Sequence, residues 1–187
     1  MAQDDADHGA PAPASLIYET PPERPVEGLP IGNGTMGTLV WTTTEAVHLQ
    51  LNRCDVYAVN KRHTGPASPP LQEPQPHVDC CGGGARLTLD LGGEPLVGQG
   101  TRQELMLHEA EVLLRGRDIS LRCFISAACD VLVLHLEDRR DPPQPLRFTV
   151  STWRPPEVQV GGHRAWHTWS EESGRVLASL IRAVGDF

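Results

Sequence analysis

From Thr35 onward apolar and polar residues alternate along much of the chain, and a period of two sends successive side chains to opposite faces of a strand. Met36, Leu39, Val40 and Trp41 form the first run; in the second, Ala46 to Leu51, Val47, Leu49 and Leu51 share one face while His48 and Gln50 share the other. The link Thr42-Thr43-Thr44-Glu45 has hairpin length, so the two runs are predicted to pair antiparallel. Further strands are predicted over Arg86 to Leu91, Arg102 to His108, Glu111 to Leu114, Asp118 to Ile125, Leu146 to Ser151 and Arg175 to Val184. The run Asp130 to Leu136 is apolar on both faces apart from His135, which predicts a strand in the middle of a sheet covered on both sides. No 3.6-residue period is sustained for two helical turns. The fold class is therefore all-β, a large antiparallel β-sandwich, although strand pattern alone does not separate a sandwich from a closed barrel.

Composition sharpens the boundaries. With 18 Gly and 17 Pro in 187 residues and aromatics at 5%, turns are frequent and long helices are not expected. Residues 1 to 15 mix Ala, Pro and Asp without periodicity and are expected to form a disordered leader, leaving 16 to 187 as one domain. Asn60 to Gly84 holds five prolines and four glycines and is predicted to be a long loop, a length at which loops are usually functional or mobile.

Charge and cysteine content narrow the function classes. Fifteen Arg and one Lys stand against 24 acids, a net charge of -8 with no basic cluster, which argues against a nucleic-acid partner. The longest aliphatic run, Val131 to Leu134, is far short of the ~18 apolar residues of a membrane span, so no membrane partner is expected. The first fifteen residues carry Asp4, Asp5 and Asp7 but neither a basic n-region nor an apolar h-region, and the expected location is the cytoplasm. Five cysteines at irregular spacing, Cys54, Cys80, Cys81, Cys123 and Cys129, suit reduced thiols better than a disulfide framework.

Several constellations carry candidate chemistry. Gly32-Asn33-Gly34 tolerates positive φ and reads first as a tight turn; with Gly37 it fits a dinucleotide-type glycine spacing, but strand residues follow it and no βαβ unit is present. His77-Val78-Asp79-Cys80-Cys81 offers zinc three ligand types, yet the second ligand pair of a structural site is missing, the nearest dense candidate being His163 with His167. No metal site and no cofactor is expected. Motifs of serine hydrolases, P-loop proteins and zinc proteases are absent. Asp55, Asp90, Glu104, Glu109 and Glu111 could do paired acid and base work only if folding brought two of them to glycosidase distances; on alternating strands such groups are ordinarily solvated. Trp153, Trp166 and Trp169 fall in a Pro/Gly-rich segment, where loop tryptophans can stack on sugar rings or, as the simpler expectation, fill the core.

Pro25 to Val40 reads Pro-Val-Glu-Gly-Leu-Pro-Ile-Gly-Asn-Gly-Thr-Met-Gly-Thr-Leu-Val, and His48 to Asp55 reads His-Leu-Gln-Leu-Asn-Arg-Cys-Asp. In order and spacing this resembles the N-terminal β-domain of glycoside hydrolase family 95, the α-L-fucosidase family, with its Leu-Pro-x-Gly-Asn-Gly-x-x-Gly turn followed by a Leu-Asn motif. Arg102 to Leu107 and Ser126 to Leu132 resemble later strands of that domain. The family usually continues Glu-Asp-Thr-Leu-Trp after the Leu-Asn motif, where this chain has Arg53-Cys54-Asp55-Val56-Tyr57. The resemblance implies a sandwich of the super-sandwich type, non-catalytic by itself. It also implies a partner, an (α/α)6 barrel that carries the catalytic carboxylates and is missing from this chain, so no catalytic residue is carried over. Asn33, Asn52 and Asp55 are the candidate interdomain or sugar-binding residues, expected to be neighbours because the hairpin brings both of its flanks to the same end. The competing class is a stand-alone carbohydrate-binding module with the tryptophans as its sugar platform.

Overall fold

The computed structural model describes residues 14–22, 24–58, 80–152, 157–161, 164–170 and 176–182. Among these residues it is nearly all β, with thirteen strands, all paired antiparallel, and a single 3-10 turn at Pro25–Glu27. One five-stranded sheet runs β1 (Ser15–Tyr18), β6 (Arg102–Met106), β7 (Glu111–Gly116), β8 (Ile119–Ile125) and β9 (Leu132–Asp138). The other runs β10 (Arg147–Ser151), β5 (Cys80–Asp90), β4 (Ala46–Ala58), β3 (Met36–Thr42) and β2 (Leu29–Gly32). A separate three-stranded sheet follows, β11 (Glu157–Gly161), β12 (Arg164–Ser170) and β13 (Val176–Arg182).

The two larger sheets close over one apolar layer, as a sandwich does and a barrel does not. From the second sheet come Leu29, Ile31, Val40, Val47, Leu49, Leu87 and Leu89, and from the first Leu105, Val112, Leu114, Leu121, Cys123 and Ile125. Their alternation is the sequence alternation: β6 reads intermediate, buried, intermediate, buried, and β8 keeps every second residue inside. The predicted hairpin forms with Val40 opposite Leu49 and Trp41 opposite His48. Burial pushes the Cys123 thiol up to about 12, so it serves as a small apolar filler.

The structure corrects several expectations. Ser15 is not leader: it pairs with Met106, and Leu107 N–H donates to Ala14 O, because an open strand edge orders a segment whose composition alone would not. Residues 80–84 are not loop, since β5 begins at Cys80; the rest of the predicted loop, from 60 to 79, lies outside the described residues. Two short strands were illegible by periodicity, β1 and β2, and two more, β11 and β12, lie where Pro and Gly suggested loop. Trp166 and Trp169 stand on β12, opposite Leu180 and Leu177, whereas Trp153 lies outside the described residues. Finally, among the described residues β9 is an edge strand, paired to β8 on one side, and not the central strand that its composition predicts. Among the described residues no helix is long and apolar enough to cross a membrane.

Two polar groups, one buried and one half-buried, give measurable consequences. Gln103 points inward from β6 at 1% exposure, and neither atom of its amide has a hydrogen-bond partner among the described residues. Burying such an amide unpaired opposes folding. Gln103→Met should therefore raise the urea midpoint, by about 1 kcal/mol in stability, with an unchanged denaturant slope; a lower midpoint would show that the amide is satisfied.

On the opposite face of the second sheet, His48 stacks on Trp41 with ring centroids 5.4 Å apart and shares a 3.1 Å hydrogen bond with Thr88 Oγ1. Burial, and secondarily the charge of Arg86, hold its imidazole below the ordinary value. The folded form thus disfavours the proton that the unfolded chain accepts. Its contribution to stability is complete above about pH 6.5 and is lost as pH falls through the lower folded value. Urea titrations on either side of that window should show the loss, and His48→Gln should flatten it.

Candidate functional site

The Gly32-Asn33-Gly34 segment is the turn between β2 and β3. Gly32 pairs with Gly37, Asn33 N–H donates to Met36 O at 3.0 Å, and Gly34 takes a φ of +92°, in the region that favours glycine. The Asn33 side chain completes the turn: its Oδ1 accepts from Thr35 N–H at 3.0 Å and Met36 N–H at 2.8 Å. Its Nδ2 then reaches the other sheet. It donates to Ser126 O at 3.0 Å and to Asp130 Oδ1 at 3.1 Å, with Cys129 O at 3.4 Å, all in the β8–β9 connection. One carboxamide therefore both shapes a hairpin and fastens the two layers.

The second half of the site comes from an irregularity in β4. On its β3 side the ladder continues through Gly37↔Asn52 and Met36↔Arg53, and Cys54 N–H donates to Thr35 O at 3.0 Å. On its β5 side the register shifts after Leu51 and again after Asn52, so that Asn52 faces Gly83 while the next pair is Tyr57 with Cys81. Residues 53 to 56 thus bulge against a single residue of β5, in a stretch where Gly82, Gly83 and Gly84 leave room for it. The bulge buries Val56 and turns Arg53 toward the β8–β9 connection.

Arg53 is the hub of the charged cluster. Its guanidinium contacts Asp55 twice, Nε to Oδ1 at 3.0 Å and Nη2 to Oδ2 at 3.3 Å, while Nη1 meets Asp130 Oδ2 at 2.9 Å. The hydrogen bond to Asp55 leads the effects that hold Arg53 above its ordinary value, with the charges of Asp55 and Asp130 adding to it. Because Asp130 also accepts from Asn33, one chain of contacts runs from the β2–β3 turn through the β8–β9 connection to the β4 bulge. These side chains are half-buried, with 37% of Arg53 and 23% of Asp55 exposed, so solvent reaches the charged atoms.

Of the expected residues, Asn33 and Asp55 are brought together, through Arg53 and Asp130. Asn52 is adjacent in the chain but exposed, and it enters none of these contacts. Sequence reasoning missed Arg53 and Asp130 as members. The Arg-x-Asp spacing at 53 and 55 was visible, but a strand would have placed both on the face that alternation assigns, and the bulge that re-aims them has no local signature beyond the glycines of its partner strand. Of the other candidate carboxylates three have structural partners, Glu104 with Arg102, Glu111 with Arg122, and Asp90 accepting from Gly92 N–H, while Glu109 is exposed in the turn between β6 and β7. Hydrogen bonding, with Ser15 foremost, holds Glu104 below the ordinary carboxylate range, the opposite of what a general acid needs.

The sequence matches no protein-family model, and no curated protein is significantly similar to it.

Removing Asn33 should be costly because several main-chain groups, with Met36 N–H and Ser126 O half-buried, lose their partner together. Asn33→Ala is expected to lower stability by about 2 kcal/mol in urea unfolding, against about 0.5 kcal/mol or less for Asn52→Ala. Equal effects would mean that the turn carries no inter-sheet fastening.

Proposed function

We propose that this chain is the non-catalytic N-terminal β-sandwich of a glycoside hydrolase family 95-like protein, docking on and shaping the substrate channel of an (α/α)6 catalytic barrel. The observation that carries this reading is that the stretch resembling the family, Leu29 to Asp55, folds as one continuous β2–β3–β4 unit and delivers its polar residues to one end of the sandwich. There Asn33, Arg53, Asp55 and Asp130 make a half-exposed cluster of hydrogen-bonding groups, the chemistry that an interdomain surface or a sugar hydroxyl would use. The arrangement of the carboxylates supports a non-catalytic role, since Asp55, Glu104 and Glu111 are each engaged by an arginine. A stand-alone carbohydrate-binding module is less well supported, because Trp166 and Trp169 belong to a strand and not to a loop platform.

Two measurements test the proposal. The purified chain should not turn over aryl fucosides or galactosides; turnover abolished by Asp55→Asn or Glu104→Gln would place an active site on the sandwich and overturn it. Reading the gene past the codon for Phe187 should show an in-frame helical barrel, and in the joined protein Asp55→Ala should weaken activity or interdomain association beyond the ~0.5 kcal/mol of an ordinary surface change.

A further inference from the structure

The run Val131 to Leu136 has the composition of a central strand but the position of an edge strand, and the conflict points outward. Natural sheets blunt their edges with short strands, prolines, charged side chains or bulges. The other edges of the two larger sheets follow that rule: β1 and β2 are four residues each, β2 contains Pro30, and β10 is five residues opening on Arg147. β9 follows it only at its end, where Glu137 and Asp138 are charged; the strand has seven residues, no proline and an unbroken register from Ile125↔Leu132 to Ile119↔Asp138.

The open edge can be read residue by residue. Ser126 N–H donates to Val131 O at 2.9 Å and Arg139 N–H donates to Asp118 O at 2.8 Å, so at both ends the odd-numbered residues turn their main-chain groups toward β8. In an antiparallel ladder the alternate residues then turn theirs away. Leu132, Leu134, Leu136 and Asp138 therefore present N–H and C=O groups on the outer side, where no strand pairs with them among the described residues.

We propose that this edge is a self-association surface on which a second copy of the chain adds its own β9 antiparallel, with His135 on the two-fold axis. That axis lies at the centre of Leu132–Asp138, so the whole strand is paired. Leu134 meets Leu136 and Leu132 meets Asp138 in hydrogen-bonded pairs, Val133 faces Glu137, and His135 faces its own copy. Charge favours the same register. The acidic end at Asp130, which already holds Arg53, comes beside Arg139 at the other end of the partner strand, and Arg139 is 78% exposed. Centring on Leu134 would oppose Asp130 to Asp138, and centring on Glu137 or Asp138 would set like charges against each other. Centring on Leu136 leaves Leu132 and Val133 beyond the partner's strand. The product is a continuous ten-stranded sheet shared by two sandwiches, an isologous contact that closes on itself. It requires no barrel, and it shares only Asp130 with the cluster described above.

Light scattering on the size-fractionated 187-residue chain should give a dimer mass that falls toward the monomer on dilution. His135→Lys, at an exposed position, should give a monomer with unchanged circular dichroism and melting, because two ammonium groups would meet at the axis. Under mild oxidation His135→Cys should give a reducible covalent dimer beyond the level of the unchanged chain, and Val133→Cys should not, since its counterpart is Glu137. A chain that stays monomeric to its solubility limit overturns the proposal. So does a dimer that His135→Lys leaves intact, or cross-linking as efficient from Val133→Cys as from His135→Cys.

Discussion

Everything in this molecule follows from the fact that a pleated strand has two faces and the chain can bury only one of each across a single apolar layer. With few aromatics, the layer is made of Leu, Val and Ile, and each strand must deliver its branched side chains in strict alternation to reach it. A one-residue slip of β3 against β4 would carry Val40 or Leu49 to the opposite face. Register is therefore fixed wherever the two layers meet. It is free to break only beyond the core, and that is where β4 breaks it.

The break gives the site its character. Up to Leu51 the strand β4 is a core strand in regular register with both neighbours; after Asn52 it stays with β3 but parts from β5, and the residues released from pairing supply Arg53 and Asp55. A guanidinium that would otherwise lie along one sheet instead bridges to a connection of the other. Together with the Asn33 carboxamide it makes a polar fastening at the end of an apolar sandwich, complementary to the core: the core holds the layers together without direction, while the fastening fixes how they are offset.

Most of the fold was legible because alternation, turn residues and hairpin-length links are local. The β3–β4 hairpin and strands β6 to β8 lie close to where periodicity puts them. What failed was non-local. The short strands β1 and β2 are ordered by the edges they join, and β11 and β12 persist amid residues whose composition reads as loop. The edge position of β9 depends on which partner β8 chooses, and no property of Leu132 to Asp138 encodes that. The site was half legible: a hairpin must bring its flanks together, so Asn33 and the residues after Leu51 were expected as neighbours. Arg53 and Asp130 became visible only when a bulge and a connection from the other sheet met.

The Asn33-Gly34 pair carries a consequence in chemical time. In an open chain an asparagine followed by glycine is the peptide linkage most prone to lose ammonia through a cyclic imide, because the glycine nitrogen attacks the side-chain carbonyl unhindered. Here that carbonyl is engaged by two main-chain N–H groups, and the amide nitrogen is engaged by the β8–β9 connection. Cyclisation and loss of ammonia disrupt the contacts that hold this carboxamide, so the reaction is expected to run mainly when the fastening opens. Once hydrolysed, the new carboxylate would confront Asp130 and the carbonyls of Ser126 and Cys129 with a negative charge in place of a donor. The damage would hold the clasp open, so the turn that sets the layer offset also serves as an irreversible record of how often the sandwich has come apart.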